Sequence, residues 1–169
     1  MSAFAYPARV SPAEEGGWLI AFRDFAEGHT QADETEDAID LAEGCLQACI
    51  EGRLLDGVAI PEPSDARPGE VMIAVPIETA TKAALFTAMA ESGRSRLALA
   101  TALGMDEKEV RRMLDPRHAS KLPRIERVLR ALGKELRLAV VDAARMPERV
   151  PVARKVSERR AKYRARKRR

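Results

Sequence analysis

Few side chains in this sequence have types and spacings suited to chemistry. Cys45 and Cys49 are the only cysteines, and the two histidines, His29 and His118, are far apart. Two thiols four residues apart on a helical pattern supply too few ligands for a closed zinc site, and their apolar neighbours favour structural burial. Acids crowd at Asp33, Glu34, Glu36, Asp37 and Asp40. Metal-dependent nuclease chemistry needs carboxylates converging on divalent ions, whereas acids at a helix start are explained by capping and solvation. No catalytic residue, metal ligand or cofactor is therefore assigned, and the chain is not expected to be an enzyme. The distinctive chemistry left is cationic: Lys108, Arg111 and Arg112, within "GMDEKEVRRML", suit phosphate neutralisation and hydrogen bonding to base edges.

Those cations need a helix to aim them. At about 100° per residue, Val110, Met113 and Leu114 group on one side while Lys108, Arg111 and Arg112 point away. Ser95 suits the cap of a preceding helix through Leu103, and Gly104 suits the turn. Asp106 with Glu109 has the spacing of a capping box. "RIERVLRALG" then supplies a further helix ending at Gly133. A helix docked by an apolar stripe, basic outside and preceded by a tight glycine turn, meets the requirements for entering a major groove. A helical bundle with merely solvated charges explains the same face. Turn spacing, the extra helix and the basic charge of the segment together favour DNA. Lys108, Arg111 and Arg112 are the candidates for base edges, Arg117 and Lys121 for phosphate, and Arg96 completes the DNA-contacting set.

The charge is sharply divided. Residues 1–75 carry four basic against fifteen acidic side chains, net −11; residues 76–153 are +5 and residues 154–169 are +9. An acidic surface repels nucleic acid while a basic one collects it, so two different partners are expected. A chain of 169 residues accommodates one ordinary domain or two small ones. No solenoid repeat, spanning apolar run or signal-peptide pattern is visible, and the expected location is the cytoplasm, with no membrane partner.

Towards the N-terminus, "FAYPARV" suits a strand that Pro7 pushes to a sheet edge or bulge. "EEGG" turns the chain, "WLIAF" pairs back as a hairpin, and a third strand follows near Gly28–Ala32. Asp33, with Glu36 three residues on, is expected to cap a helix whose stripe holds Ala38, Leu41, Ala42, Cys45, Leu46, Cys49 and Ile50. After a proline-rich passage, "VMIAVP" reads as a strand, and a helix over Ile77–Glu91 is expected to be apolar at Ile77, Ala80, Ala84, Leu85 and Ala88. "ELRLAVV", Glu135–Val141, alternates like an edge strand that a second copy would pair. The fold class is α+β: a β-β-β-α-β domain over 1–75, an all-α domain over 76–142, and a basic tail over 143–169 expected to lack a packed core.

Residues 92–140 resemble the helix-turn-helix of the Xre/lambda-repressor class, through "LALATALGMDEKEVRRML". The first half is similar to the N-terminal domain of HicB-type antitoxins. The features that match in order are Tyr6, Gly16 and Gly17, Trp18 and Phe22, Asp24, Gly28, Asp33 and Thr35, and the exit Ile60–Ser64. "RDFAEGHT" departs from the family's usual "PDLPGCxT"-like run, with His29 where Cys is frequent. The resemblance implies a partial RNase-H-like N-terminal domain that covers a small RNA-cleaving HicA-like toxin, and a C-terminal domain that represses the operon encoding both. On that reading the toxin-facing candidates are Asp24, Glu27, His29 and Asp33. Specificity from one short helix is too low for an operator, so at least a homodimer is expected, through "ELRLAVV" and the helix after Arg124. Two alternatives stay open: a stand-alone helix-turn-helix regulator without a toxin, and a tail that grips nucleic acid nonspecifically through its ten cations.

Overall fold

The computed structural model describes residues 4–14, 16–34, 37–140 and 142. Strands β1 (Ala5–Pro12), β2 (Trp18–Phe22) and β3 (His29–Ala32) are followed by helix α1 (Ala38–Asp56) and strand β4 (Glu70–Ala74). Four helices complete the order: α2 (Ile77–Ser92), α3 (Arg96–Leu103), α4 (Glu107–Leu114) and α5 (Leu122–Ala131). This is an α+β chain whose first part has the expected β-β-β-α-β order.

The strands form one antiparallel sheet in the order β3-β2-β1-β4. Ala8 is opposite Phe22 and Val10 opposite Ile20, while Tyr6 is matched with Ile73. This register buries Tyr6, Ala8, Val10, Ile20, Phe22 and Ile73, the period-2 alternation of a sheet with one covered face. β1 is central, contrary to the edge position expected from Pro7. The β1–β2 ladder ends at Ala8, so Pro7 is matched with Met72 alone and the strand is open on its other side where the N–H is missing. Gly17 has φ +82° and closes the β1–β2 turn; a Cβ there would lie 2.4 Å from the Ala32 carbonyl oxygen.

α1 begins at Ala38 rather than at Asp33. Asp33 and Glu34 bend the chain directly after β3, and the first helical bond runs from the Leu41 N–H to the Asp37 carbonyl. The expected cap partner Glu36 lies outside the described residues. The buried line of α1 is Ala38, Ala42, Leu46, Ile50 and Leu54, a strict four-residue spacing. Cys45 and Cys49 flank this line as half-buried thiols, and Leu41 is exposed.

The chain divides into two compact units, and the division cuts α1. One unit takes the residues up to Leu46 with Glu62–Ala74; the other takes Gln47–Pro61 with Val75–Asp142. In the second unit the core unites Leu85 and Ala88 of α2, Leu99 and Ala100 of α3, Val110 and Met113 of α4, and Ile125, Val128 and Leu129 of α5. α2 buries Thr79, Lys82, Ala83, Leu85 and Ala88, while Ile77 is exposed, so its inner face is rotated from the expected stripe. Residues 135–140 are not a strand within this chain. Leu136 packs on the helical core, and Leu138 and Val140 are exposed. A strand exists only with a pairing partner, and this segment has no such ladder here. Val141 and residues 143–169, including the basic tail, lie outside the described residues.

Candidate functional site

Local chemistry builds α3 and α4. Ser95 caps α3, its hydroxyl accepting from the Ala98 N–H at 3.1 Å. Gly104 ends α3 at φ 62°, in the left-handed region where glycine is unstrained. Asp106 caps α4, its carboxylate accepting from the Lys108 N–H at 2.8 Å. The reciprocal half of the expected capping box is replaced by a tertiary contact: Glu109 Oε1 instead accepts from Arg124 Nη1 of α5 at 2.9 Å. Two eight-residue helices are thus joined by three residues, Gly104–Met105–Asp106. Helices this short are marginal alone, and caps together with the shared core hold them.

α4 docks through Val110 and Met113, both buried. Lys108, Arg111 and Arg112 are exposed, and among the described residues none of the three is in an ion pair. The surrounding cations differ. Arg96 Nε lies 3.5 Å from Glu107 Oε1, and Arg124 is paired with Glu109. Arg117 is held by Asp115, with Nε donating to Oδ1 and Nη2 to Oδ2, each at 2.9 Å. That bidentate pair and the Arg117 N–H hold the Asp115 carboxyl well below the usual carboxylate range, and Asp115 in turn raises Arg117. Lys121, at the start of α5, is exposed. The structure therefore brings Lys108, Arg111 and Arg112 together as an unneutralised face, flanked by Arg96 and Arg117, whose charges are partly answered by acids.

Sequence reasoning missed the cations that tie the helices together. Arg127 donates to the Leu103 carbonyl at the end of α3, Arg94 donates to the Ala131 carbonyl, and Lys134 is paired with Glu91. Cations at helix C-termini satisfy unpaired carbonyls and complement the dipole. Lys82 is the larger omission. It is 1% exposed, and its ammonium donates to the carbonyls of Asp115 and His118 and to Ser120 Oγ at 3.0, 2.6 and 3.4 Å. Burial pushes its pKa down, with Glu78, Asp115 and Glu51 pulling it back. A lysine three residues from both Thr79 and Leu85 was the available signal for an inward position.

In the sheet unit, Asp24 is engaged within the chain. Its Oδ1 accepts from the Ser64 hydroxyl at 2.6 Å and its Oδ2 from the Ser64 N–H at 3.0 Å. Arg23 Nη2 donates to Ser64 Oγ and the Asp65 carbonyl and lies 3.4 Å from Glu70. This network fastens the "PEPSD" passage to the end of β2. Gly28 lets the turn close on the aromatic core, since a Cβ there would come within 2.9 Å of Phe25 and 3.1 Å of Phe22. Phe25 in turn meets Tyr6 edge-on, ring centroids 4.9 Å apart. Glu27, His29 and Asp33 are exposed, with His29 opening the edge strand β3. Among the described residues no three His, Cys, Asp or Glu groups are arranged to hold a metal ion, and no helix is long and apolar enough to cross a membrane.

The chain thus carries a four-stranded sheet unit and a small helical unit in which, among the described residues, Lys108, Arg111 and Arg112 of α4 have no ion-pair partner. A family model described as HicB-like antitoxin of bacterial toxin–antitoxin system matches residues 5–84. The chain is 33% identical over 135 residues to Antitoxin HicB 1 of Photorhabdus laumondii, covering 80% of this chain and 86% of the relative. It is 32% identical over 136 residues to Antitoxin HicB of Escherichia coli K12, covering 80% and 99% respectively. Antitoxin HicB of Pseudomonas fluorescens Pf0-1 is 31% identical over 142 residues, covering 83% and 96%. The chain belongs to the HicB-like antitoxin family, a family of regulatory proteins rather than of enzymes.

Proposed function

We infer that the protein neutralises a toxin with its acidic sheet unit and represses its own operon with its helical unit. The toxin is of the HicA kind, a small basic protein that cleaves mRNA. Glu27 and Asp33, which flank β3, and His29, which opens it, are the side chains offered to it, and Asp24 keeps their neighbourhood in shape by holding Ser64. Family membership and the net charge of −11 over residues 1–75 support this reading, because a surface that grips RNA is cationic and is best covered by an anionic one.

The DNA-binding half rests on one observation: Lys108, Arg111 and Arg112 stand unneutralised on the face of α4 opposite Val110 and Met113. α3 and α4 then act as an Xre-like helix-turn-helix, with α4 reading the major groove and Arg96, Arg117 and Lys121 settling on phosphates. A homodimer reads two half-sites. The alternating segment after Glu135, with Leu138 and Val140 exposed, supports pairing with a second copy. The work is cytoplasmic, where both operator and mRNA are found.

The test is co-expression with the product of the adjacent small reading frame. A stable complex that relieves growth arrest, together with footprinting of the operon's own promoter, is the expected result. Promoter binding without any such complex would leave a stand-alone regulator.

A further inference from the structure

The connection between α4 and α5 runs from Asp115 to Lys121 and carries Arg117 and Lys121. It is anchored from beneath by one side chain of another helix. Lys82 of α2 uses all three ammonium protons there, on the carbonyls of Asp115 and His118 and on the hydroxyl of Ser120. The Asp115 carbonyl belongs to the C-cap of α4, so a cation is fixed at the negative end of that helix. The other two acceptors lie just before α5. Above this anchor, Asp115 orients the Arg117 guanidinium through two hydrogen bonds and accepts a third from the Arg117 N–H. The His118 N–H donates to the Asp115 carbonyl that Lys82 also holds.

A Met or Leu would fill the same volume without the desolvation cost of a buried ammonium, but it would leave the loop acceptors unpaired and the loop free to move. The anchored parts are the exit of α4, one residue beyond Leu114, and the backbone of Arg117.

We propose that Lys82 is a positioning residue of the DNA-binding surface, tying the α4–α5 connection to α2 so that the basic face of α4 and the Arg117 and Lys121 side chains keep one geometry. The proposal rests on the DNA-binding reading above. Lys82 touches no DNA itself; it governs discrimination, whereas bulk attraction comes from exposed cations it leaves untouched.

The experiment uses the full chain. Backbone order parameters of residues 116–120 are measured by NMR in the wild type and in Lys82→Met and Lys82→Gln. Affinities for the footprinted promoter fragment and for a scrambled duplex are measured by fluorescence anisotropy. The wild-type loop is expected to be as ordered as the flanking helices, about 0.85. In whichever variant folds by circular dichroism, the loop loosens. The ratio of promoter to scrambled affinity falls roughly tenfold, or about 1.4 kcal/mol, while scrambled-DNA affinity changes less than about threefold. A mobile wild-type loop, below about 0.6, overturns the proposal without any variant. A folded variant that keeps the ratio also overturns it, leaving Lys82 a packing residue. A wild type without promoter preference but with an ordered loop instead brings down the DNA-binding reading, and the proposal with it.

Discussion

The difference between neutralised and unneutralised cations around α4 makes a quantitative prediction for Arg112→Ala. Each cation that settles on phosphate releases counterions and contributes about 0.9 to the slope of log K against log salt concentration. Arg112 is exposed with no ion-pair partner among the described residues, so its whole charge is available to DNA. Removing it from one protomer reduces the slope by about 0.9, and from both protomers of a dimer by about 1.8. Between 50 and 200 mM salt, the wild type then loses about 3.5-fold more affinity per protomer than the variant, roughly twelvefold for a dimer. If Arg112 instead meets a guanine edge, the slope is preserved and promoter affinity falls by about 1–3 kcal/mol per contact, with scrambled DNA unaffected. Anisotropy titrations at four salt concentrations on promoter and scrambled duplexes separate the two cases. The control is Glu91→Gln with Lys134→Met, which removes a compensated pair outside the DNA-contacting set and is expected to move the slope far less. Equal slopes for the single variant, the control and the wild type, with promoter affinity intact, would refute the assignment of α4 as the DNA-facing helix.

Other outcomes are expected from the same geometry. Glu107→Gln releases Arg96 from its 3.5 Å contact and removes an anion from the first turn of α4, so DNA binding tightens and its salt slope steepens in the same titrations. Asp106→Ala removes the cap on the Lys108 N–H and costs about 0.5–2 kcal/mol in urea unfolding. Gly17→Ala places a Cβ 2.4 Å from the Ala32 oxygen at φ +82°. It destabilises by at least about 2 kcal/mol, read as a lowered thermal midpoint, and a neutral result would contradict the turn geometry. The Asp115 carboxyl is held below its unfolded value, so its contribution to stability is complete above about pH 4 and is lost as pH falls below that. The stability difference between wild type and Asp115→Asn is accordingly flat near neutrality and shrinks only in acid, which denaturation at stepped pH measures.

Features set by a few neighbouring residues were legible. The β-β-β-α-β order, the turns at Gly17 and Gly104 and the caps at Ser95 and Asp106 each depend on a local backbone preference. The outward cations of α4 followed from helical period alone. Partnership across the fold was not legible. Glu109 has the spacing to cap its own helix, yet Arg124, fifteen residues on, takes its carboxylate. Lysine is by type a surface residue, and only acceptors more than thirty residues away explain the burial of Lys82. Asp33 offers a cap, but the bend after β3 delays the helix to Ala38. Pro7 argues for an edge only if every residue of a central strand is flanked on both sides, which the short β1–β2 ladder avoids. The segment after Glu135 has the alternation of a strand without a ladder in its own chain, because strand formation is a property of pairs.

The helix α1 has an implication for how this protein is taken apart. Gln47–Pro61 belongs with the helical unit, where Glu51 accepts from the Thr79 hydroxyl and from the Gln47 side-chain amide. A fragment beginning at residue 76 would strip α2 of that carboxylate and Lys82 of one of the three anions that favour its charged state. A fragment ending at residue 75 would carry the second half of a helix whose buried residues Ile50 and Leu54 had lost the unit they belong to. Loss of the proposed DNA binding or toxin capture in either excised piece would therefore measure the damage of the cut, so point substitutions in the intact chain are the appropriate means of testing the two proposed activities.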